Sequence, residues 1–115
     1  GPPMHAALNA ARDMAGEVDI EVIDLRTLLP IDWGTVKGSV RKTGKLLIVH
    51  EARRSGGIGA EIGARVAQDC FEELDAPVAR LAARDTHTPF AGPMEDYVLP
   101  NQDKVTEAIR TLAAY

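Results

Sequence analysis

The 115-residue chain is 45% hydrophobic and 26% charged, which is typical of a single compact domain that folds in water. Its net charge of -4 at pH 7 argues against nucleic acid as a partner, because nucleic-acid-binding domains are usually basic. It shows neither a signal peptide nor an apolar stretch long enough to span a bilayer, so we expect a cytoplasmic protein with no membrane partner.

Residues 1–15 predict the first helix. Pro2 and Pro3 favour a first helical turn, and an apolar stripe follows at helical spacing. The stripe consists of Ala7, Leu8, Ala11, Met14 and Ala15. A helix that opens a βαβ unit normally follows a strand, and none precedes this one. We therefore expect that the chain is a fragment of a longer protein, or that Gly1-Pro2 is the remnant of a protease site.

A strand and a short helix are predicted next. The β-branched residues at positions 20–25 favour the strand. Asp32 is a good N-cap for a helix from Trp33 to about Lys42, which Thr43-Gly44 ends.

Residues 45–66 carry the clearest α/β pattern of the chain. The unbroken apolar run Leu46-Leu47-Ile48-Val49 is typical of a strand that helices cover on both faces. After Gly59 the apolar period becomes helical. The residues predicted to face inward are Ile62, Val66, Cys70, Phe71 and Leu74. We interpret the lone cysteine as a packed thiol in a reducing compartment.

The rest of the chain predicts a strand, a loop and a helix. Residues 78–82 favour a third strand, and residues 84–100, which contain three prolines and no steady period, favour a long surface loop. Asn101 is the predicted cap of a last helix. Its inward-facing residues are Val105, Ala108, Ile109 and Leu112.

The segment between the central strand and its helix is rich in glycine. Its spacing, G-x-G-x-x-x-G, does not match the dinucleotide-binding fingerprint. Two interpretations remain: helix-start amides and two arginines hold an anion or a partner's carboxylate, or the glycines allow close packing against a neighbouring subunit. The residues of this interface or anion-binding loop are Arg53, Arg54, Gly56, Gly57 and Gly59.

The histidines do not form a recognisable catalytic or metal site. His50 and Glu51 are adjacent on a predicted strand and point to opposite faces, so they do not act together on one atom. His5 and His87 lack the spacing of metal ligands. We therefore predict no catalytic, cofactor-binding or metal-binding residue in this chain.

An acidic group ends the predicted central helix. Glu72, Glu73 and Asp75 lie where the helix dipole disfavours negative charge. They form either a solvated face or a docking point for a basic partner. In the second case, the opposite charges would raise the rate at which the two proteins meet.

Seven motifs follow one another along the chain. They are Asp24-Leu25-Arg26-Thr27-Leu28-Leu29-Pro30-Ile31-Asp32, Lys42-Thr43-Gly44, His50-Glu51-Ala52, Gly56-Gly57-Ile58-Gly59-Ala60-Glu61, Asp75-Ala76-Pro77-Val78, Asp85-Thr86 with Pro89-Phe90, and Leu99-Pro100. In this order they resemble the C-terminal domain of 2-oxoacid dehydrogenase beta subunits, of the pyruvate and branched-chain types.

The resemblance implies a transketolase C-terminal-like fold. This is a three-layer α/β/α sandwich with a mostly parallel, five-stranded sheet, and here it would span residues 1–115 as a single domain. In the family a strand near the middle of the sheet runs into the position of Gly1, with another before it, so the resemblance implies that the first strands are missing.

The resemblance also implies a function. The family belongs to the decarboxylating component that uses thiamine diphosphate with Mg²⁺ and passes the acyl group to a lipoyl arm, and the cofactor carries the difficult chemistry. Its cofactor-activating acid lies in the preceding domain and its diphosphate site in the alpha chain. We therefore expect this chain alone to be inactive and to serve as an assembly domain.

The expected partners are the alpha subunit, a second beta subunit and the lipoyl-bearing acyltransferase. In related complexes the acyltransferase docks through a small basic subunit-binding domain. Asp75 and the terminal carboxylate, here Tyr115, match parts of the receiving surface.

Two alternatives stay open. In the first alternative, the chain is a free-standing small-ligand or anion-binding α/β module that uses the loop from Arg53 to Gly59. Otherwise it would be the equivalent domain of a transketolase or deoxyxylulose-phosphate synthase, which His50-Glu51-Ala52 and the glycine run fit less well.

Overall fold

The computed structural model describes residues 2–23, 30–51, 56–83, 97–98 and 102–115. The helices in these ranges are α1 (Pro2–Asp13), α2 (Trp33–Thr43), α3 (Gly56–Asp69) and α4 (Gln102–Ala113). The strands are β1 (Leu47–Glu51), β2 (Ala79–Ala83) and β3 (Tyr97–Val98). A 3-10 turn, Phe71–Glu73, follows α3.

The described strands form one parallel sheet in the order β1-β2-β3. Leu47 lies opposite Ala79 at the start of the β1-β2 pair, and β3 pairs only with the end of β2, where Ala82 lies opposite Tyr97. The predicted strands around residues 46–49 and 78–82 are therefore confirmed, each shifted by a residue or so. The predicted loop at residues 84–100 is wrong at Tyr97 and Val98, and its other residues lie outside the described part.

Helices cover both faces of this sheet. On one face α2 and α3 build a buried cluster against which Ile48 and Val78 pack. The cluster consists of Val36, Val40, Ile62, Val66 and Cys70. On the other face Ala10 of α1 and Val105 of α4 are buried. The strand residues packed against them are Leu47, Val49 and Leu81.

The apolar run of β1 serves both clusters, because successive strand residues point to opposite faces. This arrangement explains why the run is unbroken rather than alternating. The described part of the chain is a three-layer α/β/α sandwich, as predicted. No helix within it combines the length and the apolar character needed to cross a membrane.

Helix α2 begins at the predicted cap. The Asp32 carboxylate accepts hydrogen bonds from the Thr35 hydroxyl at 2.7 Å and from the Thr35 N–H at 3.0 Å. Both bonds favour the charged form and hold the pKa of Asp32 below its usual value, the hydroxyl bond contributing most. A cap of this kind stabilises a helix by about 1 kcal/mol.

The predicted strand at residues 20–25 is wrong where the structure describes it. Residues 20–23 lie outside the sheet, and Glu21 instead accepts a hydrogen bond from Nζ of Lys42 at 3.0 Å, at the end of α2. β-branched side chains favour extended backbone, but a strand also needs a neighbour for its N–H and C=O groups. The described strands provide none at this position.

The apolar stripe predicted for α1 is only partly right. Met14 is buried, but Leu8 is 44% exposed, and Ala10, which was not part of the stripe, is fully buried. Helix α1 packs against α4 and β1, and the small side chain of Ala10 lets the two helices approach closely.

Phe71 was predicted to face inward with Cys70, and this is wrong. Cys70 is fully buried, whereas Phe71 is 75% exposed. The α-helix ends at Asp69, and the tighter 3-10 turn that follows does not continue its spacing of inward-facing positions.

Candidate functional site

The candidate site lies at the edge of the sheet where β1 and β2 begin. Helix α2 ends there at Gly44, whose φ of 78° places it in the left-handed region that favours glycine. The Gly44 N–H donates to the carbonyl of Val40 at 2.7 Å and so closes the helix. Lys45 follows directly and leads into β1.

Asp75 lies directly against this turn. Its N–H donates to the Gly44 carbonyl at 2.7 Å, and its exposed carboxylate occupies the space beside the Gly44 α-carbon. A Cβ at position 44 would collide with Oδ2 of Asp75 and would lie 3.0 Å from its Cγ. The absence of a side chain at Gly44 therefore leaves the space that the Asp75 carboxylate occupies.

Tyr115 is connected to the same turn through Lys45. Nζ of Lys45 donates to the main-chain oxygens of Ala113 at 3.2 Å and of Tyr115 at 3.0 Å. The Tyr115 N–H donates to the carbonyl of Leu112 at 3.3 Å, and the residue is 68% exposed. The two residues that the resemblance assigned to partner binding, Asp75 and Tyr115, thus flank the dipeptide Gly44-Lys45.

The acidic residues before Asp75 differ in how they are paired. Glu73 lies 3.5 Å from Nε of Arg41 on α2, an ion pair open to solvent and therefore weak. Glu72 is exposed, as is Phe71 beside it. The residues that precede Asp75 in the chain therefore combine negative charge with the accessible aromatic ring of Phe71.

Helices α2 and α3 are also joined by one ion pair, and a second pair to the same carboxylate lies within α3. Nζ of Lys37 lies 2.7 Å from the Asp69 carboxylate, and Nε of Arg65 lies 3.6 Å from it. These cations hold the pKa of Asp69 below its usual value, the hydrogen bond from Lys37 contributing most. The Arg65 guanidinium also stacks 4.5 Å from the centre of the Trp33 ring.

A shallow groove of about 370 Å³ runs between β2 and α4 and reaches Tyr115. The residues that line it include Leu81 from β2 and Leu112 from α4, together with the exposed Lys104 and Glu107. The groove is continuous with the surface formed by Asp75 and Tyr115, because Pro77 and Tyr115 both line it.

The glycine-rich segment lies at the opposite edge of the sheet, where β1 ends. Helix α3 begins at Gly56, so Gly56, Gly57 and Gly59 belong to its first turns, earlier than the predicted start after Gly59. A Cβ at Gly59 would lie 2.9 Å from Cδ2 of His50, whereas one at Gly57 would meet open space. Gly59 thus lets the helix start pack on the His50 ring.

The arginines predicted for that segment, Arg53 and Arg54, lie outside the described residues. The glycines of that segment follow β1, whereas Asp75 lies at the turn that precedes β1, so the two predicted sites lie at opposite ends of this strand. Within the described residues, no group of three or more His, Cys, Asp or Glu side chains is arranged to hold a metal ion.

Lys45 is the residue of the site that the sequence did not reveal. Its pairing with Ala113 and Tyr115 spans 68 and 70 positions, and a lone lysine before an apolar run carries no local signal of such a contact. The sequence predicted Gly44 only as the end of a helix. It did not reveal that Gly44 also contacts Asp75 closely.

A family model described as the C-terminal domain of transketolase matches residues 1–105. The chain is 40% identical over 109 residues to the pyruvate dehydrogenase E1 component subunit beta of Chaetosphaeridium globosum, a match that covers 94% of this chain and 33% of the relative. It is also 40% identical over 113 residues to the protein of the same name from Rhizobium meliloti (strain 1021), with 97% and 25% covered.

A branched-chain relative matches as well. The chain is 47% identical over 98 residues to the mitochondrial 2-oxoisovalerate dehydrogenase subunit beta 2 of Arabidopsis thaliana, with 85% of this chain and 27% of the relative covered. The chain thus spans about a quarter to a third of the length of these three relatives.

Proposed function

We propose that this chain, which belongs to the transketolase C-terminal domain family, is the assembly domain of a 2-oxoacid dehydrogenase beta subunit. The resemblance predicted from the seven motifs is confirmed, since the relatives are E1 beta subunits of the pyruvate and branched-chain types. In this proposal the domain supports the oxidative decarboxylation of pyruvate or a branched-chain 2-oxoacid by the whole enzyme.

The observation that carries the proposal is the meeting of Asp75 and Tyr115 at one turn. Both residues are exposed, and both are held by the dipeptide Gly44-Lys45. An exposed carboxylate next to further acidic residues suits a basic partner, because complementary charge speeds encounter and fixes orientation. The proposed occupant is the basic subunit-binding domain of a lipoyl-bearing acyltransferase.

The proposal gives the domain no chemical step. Thiamine diphosphate needs a cation and an activating acid, and the described residues contain no group arranged to hold a metal ion. As the resemblance implies, we assign the binding of this cofactor to other parts of the enzyme. The alpha subunit and a second beta subunit complete the proposed assembly.

Calorimetric titration of the protein with a purified subunit-binding domain tests this function. Asp75→Lys should weaken binding by at least about tenfold, which is about 1.4 kcal/mol, because it places a cation against the basic partner. Glu61→Lys is a matched control, since Glu61 is also exposed but lies on α3. This control should bind as the unchanged protein does.

Salt provides a second readout. Raising the salt concentration from about 0.1 M to about 1 M shortens the screening length from about 10 Å to about 3 Å and should weaken the complex further. An affinity that changes neither with the salt concentration nor with Asp75→Lys would contradict the proposal. Tight binding of phosphate or a nucleotide, measured separately, would favour an anion-binding module instead.

A further inference from the structure

We propose that Lys45 is a positioning residue that holds Tyr115 beside Asp75, so that the two residues form one binding surface. The inference rests on the proposed function, because it concerns the same surface. Lys45 is half-buried between the end of α2 and the start of β1, and its ammonium group donates to two main-chain oxygens beyond residue 112.

These two hydrogen bonds stabilise the C-terminal end of helix α4. The last carbonyls of a helix have no partner within the helix, and residues at a helix end fray unless something ties them down. Nζ of Lys45 donates to the carbonyl of Ala113 at 3.2 Å and to the main-chain oxygen of Tyr115 at 3.0 Å, and a cation there also suits the negative end of the helix dipole. The segment 113–115 is therefore fixed to the turn that precedes β1.

The same turn fixes Asp75. The carbonyl of Gly44 accepts the Asp75 N–H at 2.7 Å, and Gly44 is bonded directly to Lys45. The position of Tyr115 relative to Asp75 is therefore set through a single dipeptide. Without the Lys45 side chain, Asp75 would stay in place while the Tyr115 segment would lose its anchor.

The positive charge of Lys45 allows an experiment to distinguish a positioning role from a purely electrostatic one. Lys45 is a cation at an acidic surface, so a neutral residue there makes the surface more negative. If charge alone mattered, the loss of Lys45 would strengthen the binding of a basic partner. If Lys45 positions Tyr115, the same loss weakens binding, because the partner must then order the segment itself.

The experiment compares Lys45→Met, Lys45→Arg and Lys42→Met in the binding of the purified subunit-binding domain, measured by surface plasmon resonance. We expect Lys45→Met to weaken binding by about tenfold, mainly through faster dissociation. Lys45→Arg should restore affinity to within about twofold, because it keeps the charge and the donors. Lys42→Met removes a nearby cation that is 74% exposed and pairs with Glu21, so it should not weaken binding.

Hydrogen exchange of the amides of residues 113–115 gives a second, independent measurement. Exchange should accelerate in Lys45→Met and not in Lys42→Met, and the bound basic domain should slow it in the unchanged protein. No protection of these amides on binding would overturn the inference, whether or not the Lys45 variants fold well.

The outcomes separate this inference from the proposed function. If Lys45→Met binds equally or more tightly while Asp75→Lys binds weakly, Lys45 does not position the surface and the proposed function stands. If neither substitution changes binding, both are overturned.

Discussion

Replacing Gly44 with alanine tests whether this glycine sets the position of Asp75. Gly44 has a φ of 78°, and an L-residue in the left-handed region costs about 1–2 kcal/mol. The added Cβ would also collide with Oδ2 of Asp75, and moving that side chain off its rotamer costs about 0.5–1.5 kcal/mol. The expected loss of unfolding free energy is therefore about 1.5–3.5 kcal/mol.

A double-mutant cycle separates the two costs. Asp75→Ala removes the atoms that the new Cβ meets, so Gly44→Ala in that background should cost only the backbone part. The coupling between the two substitutions should be about 0.5–1.5 kcal/mol, read from urea unfolding followed by circular dichroism. Additive effects of the two substitutions would refute the close contact.

Gly38 provides the matched control for this experiment. It lies in the same helix at an exposed position, and a Cβ there meets nothing within 4 Å. Gly38→Ala should raise stability by up to about 1 kcal/mol, the difference in helix propensity. A loss of stability at Gly38 would show that alanine is unfavourable in α2 for another reason.

Three further predictions concern packing, capping and pH. Val66→Ala should cost about 2–3 kcal/mol and Phe71→Ala less than about 0.5 kcal/mol in urea unfolding, because Val66 is fully buried and Phe71 is 75% exposed; equal effects would contradict this burial. Asp32→Ala should cost about 1 kcal/mol while Asp32→Asn keeps most of the cap, and equal losses would argue against capping. The folded pKa of Asp69 is lowered, so its contribution is present above its unfolded pKa of about 3.9 and is lost as pH falls through the folded value. Lys37→Met should move the pKa of Asp69 up toward that value in an NMR titration, and an unchanged pKa would rule out the pairing.

Local patterns in the sequence were enough to predict much of the fold. Asp32 and Gly44 carry short-range signals for a helix start and end, and both act as expected. The apolar run at 46–49 predicted a strand covered on both faces, because only burial on both sides favours such a run.

Features that depend on neighbours were not predictable in this way. Residues 20–23 have strand-forming side chains, but these side chains do not determine whether a neighbouring strand is available for pairing. Phe71 follows the helical period of α3, and the switch to a 3-10 turn at that point moves it to the surface.

The acidic group that contains Asp75 was noted from the sequence as a possible docking point, but only the resemblance linked it to Tyr115. Asp75 and Tyr115 show no common local pattern, and Lys45 joins them across contacts that only the tertiary structure defines. The cytoplasmic location and the single-domain organisation stay predictions.

The only thiol of the chain, Cys70, is fully buried at the end of α3. Because a thiol-specific reagent cannot reach it in the closed state, its modification requires at least a local opening of the layer between α2, α3 and the sheet. When closing is faster than modification, the labelling rate reports the free energy of that opening without any introduced probe. The protein thus contains an internal reporter with which the opening of this half of the sandwich can be followed in every variant.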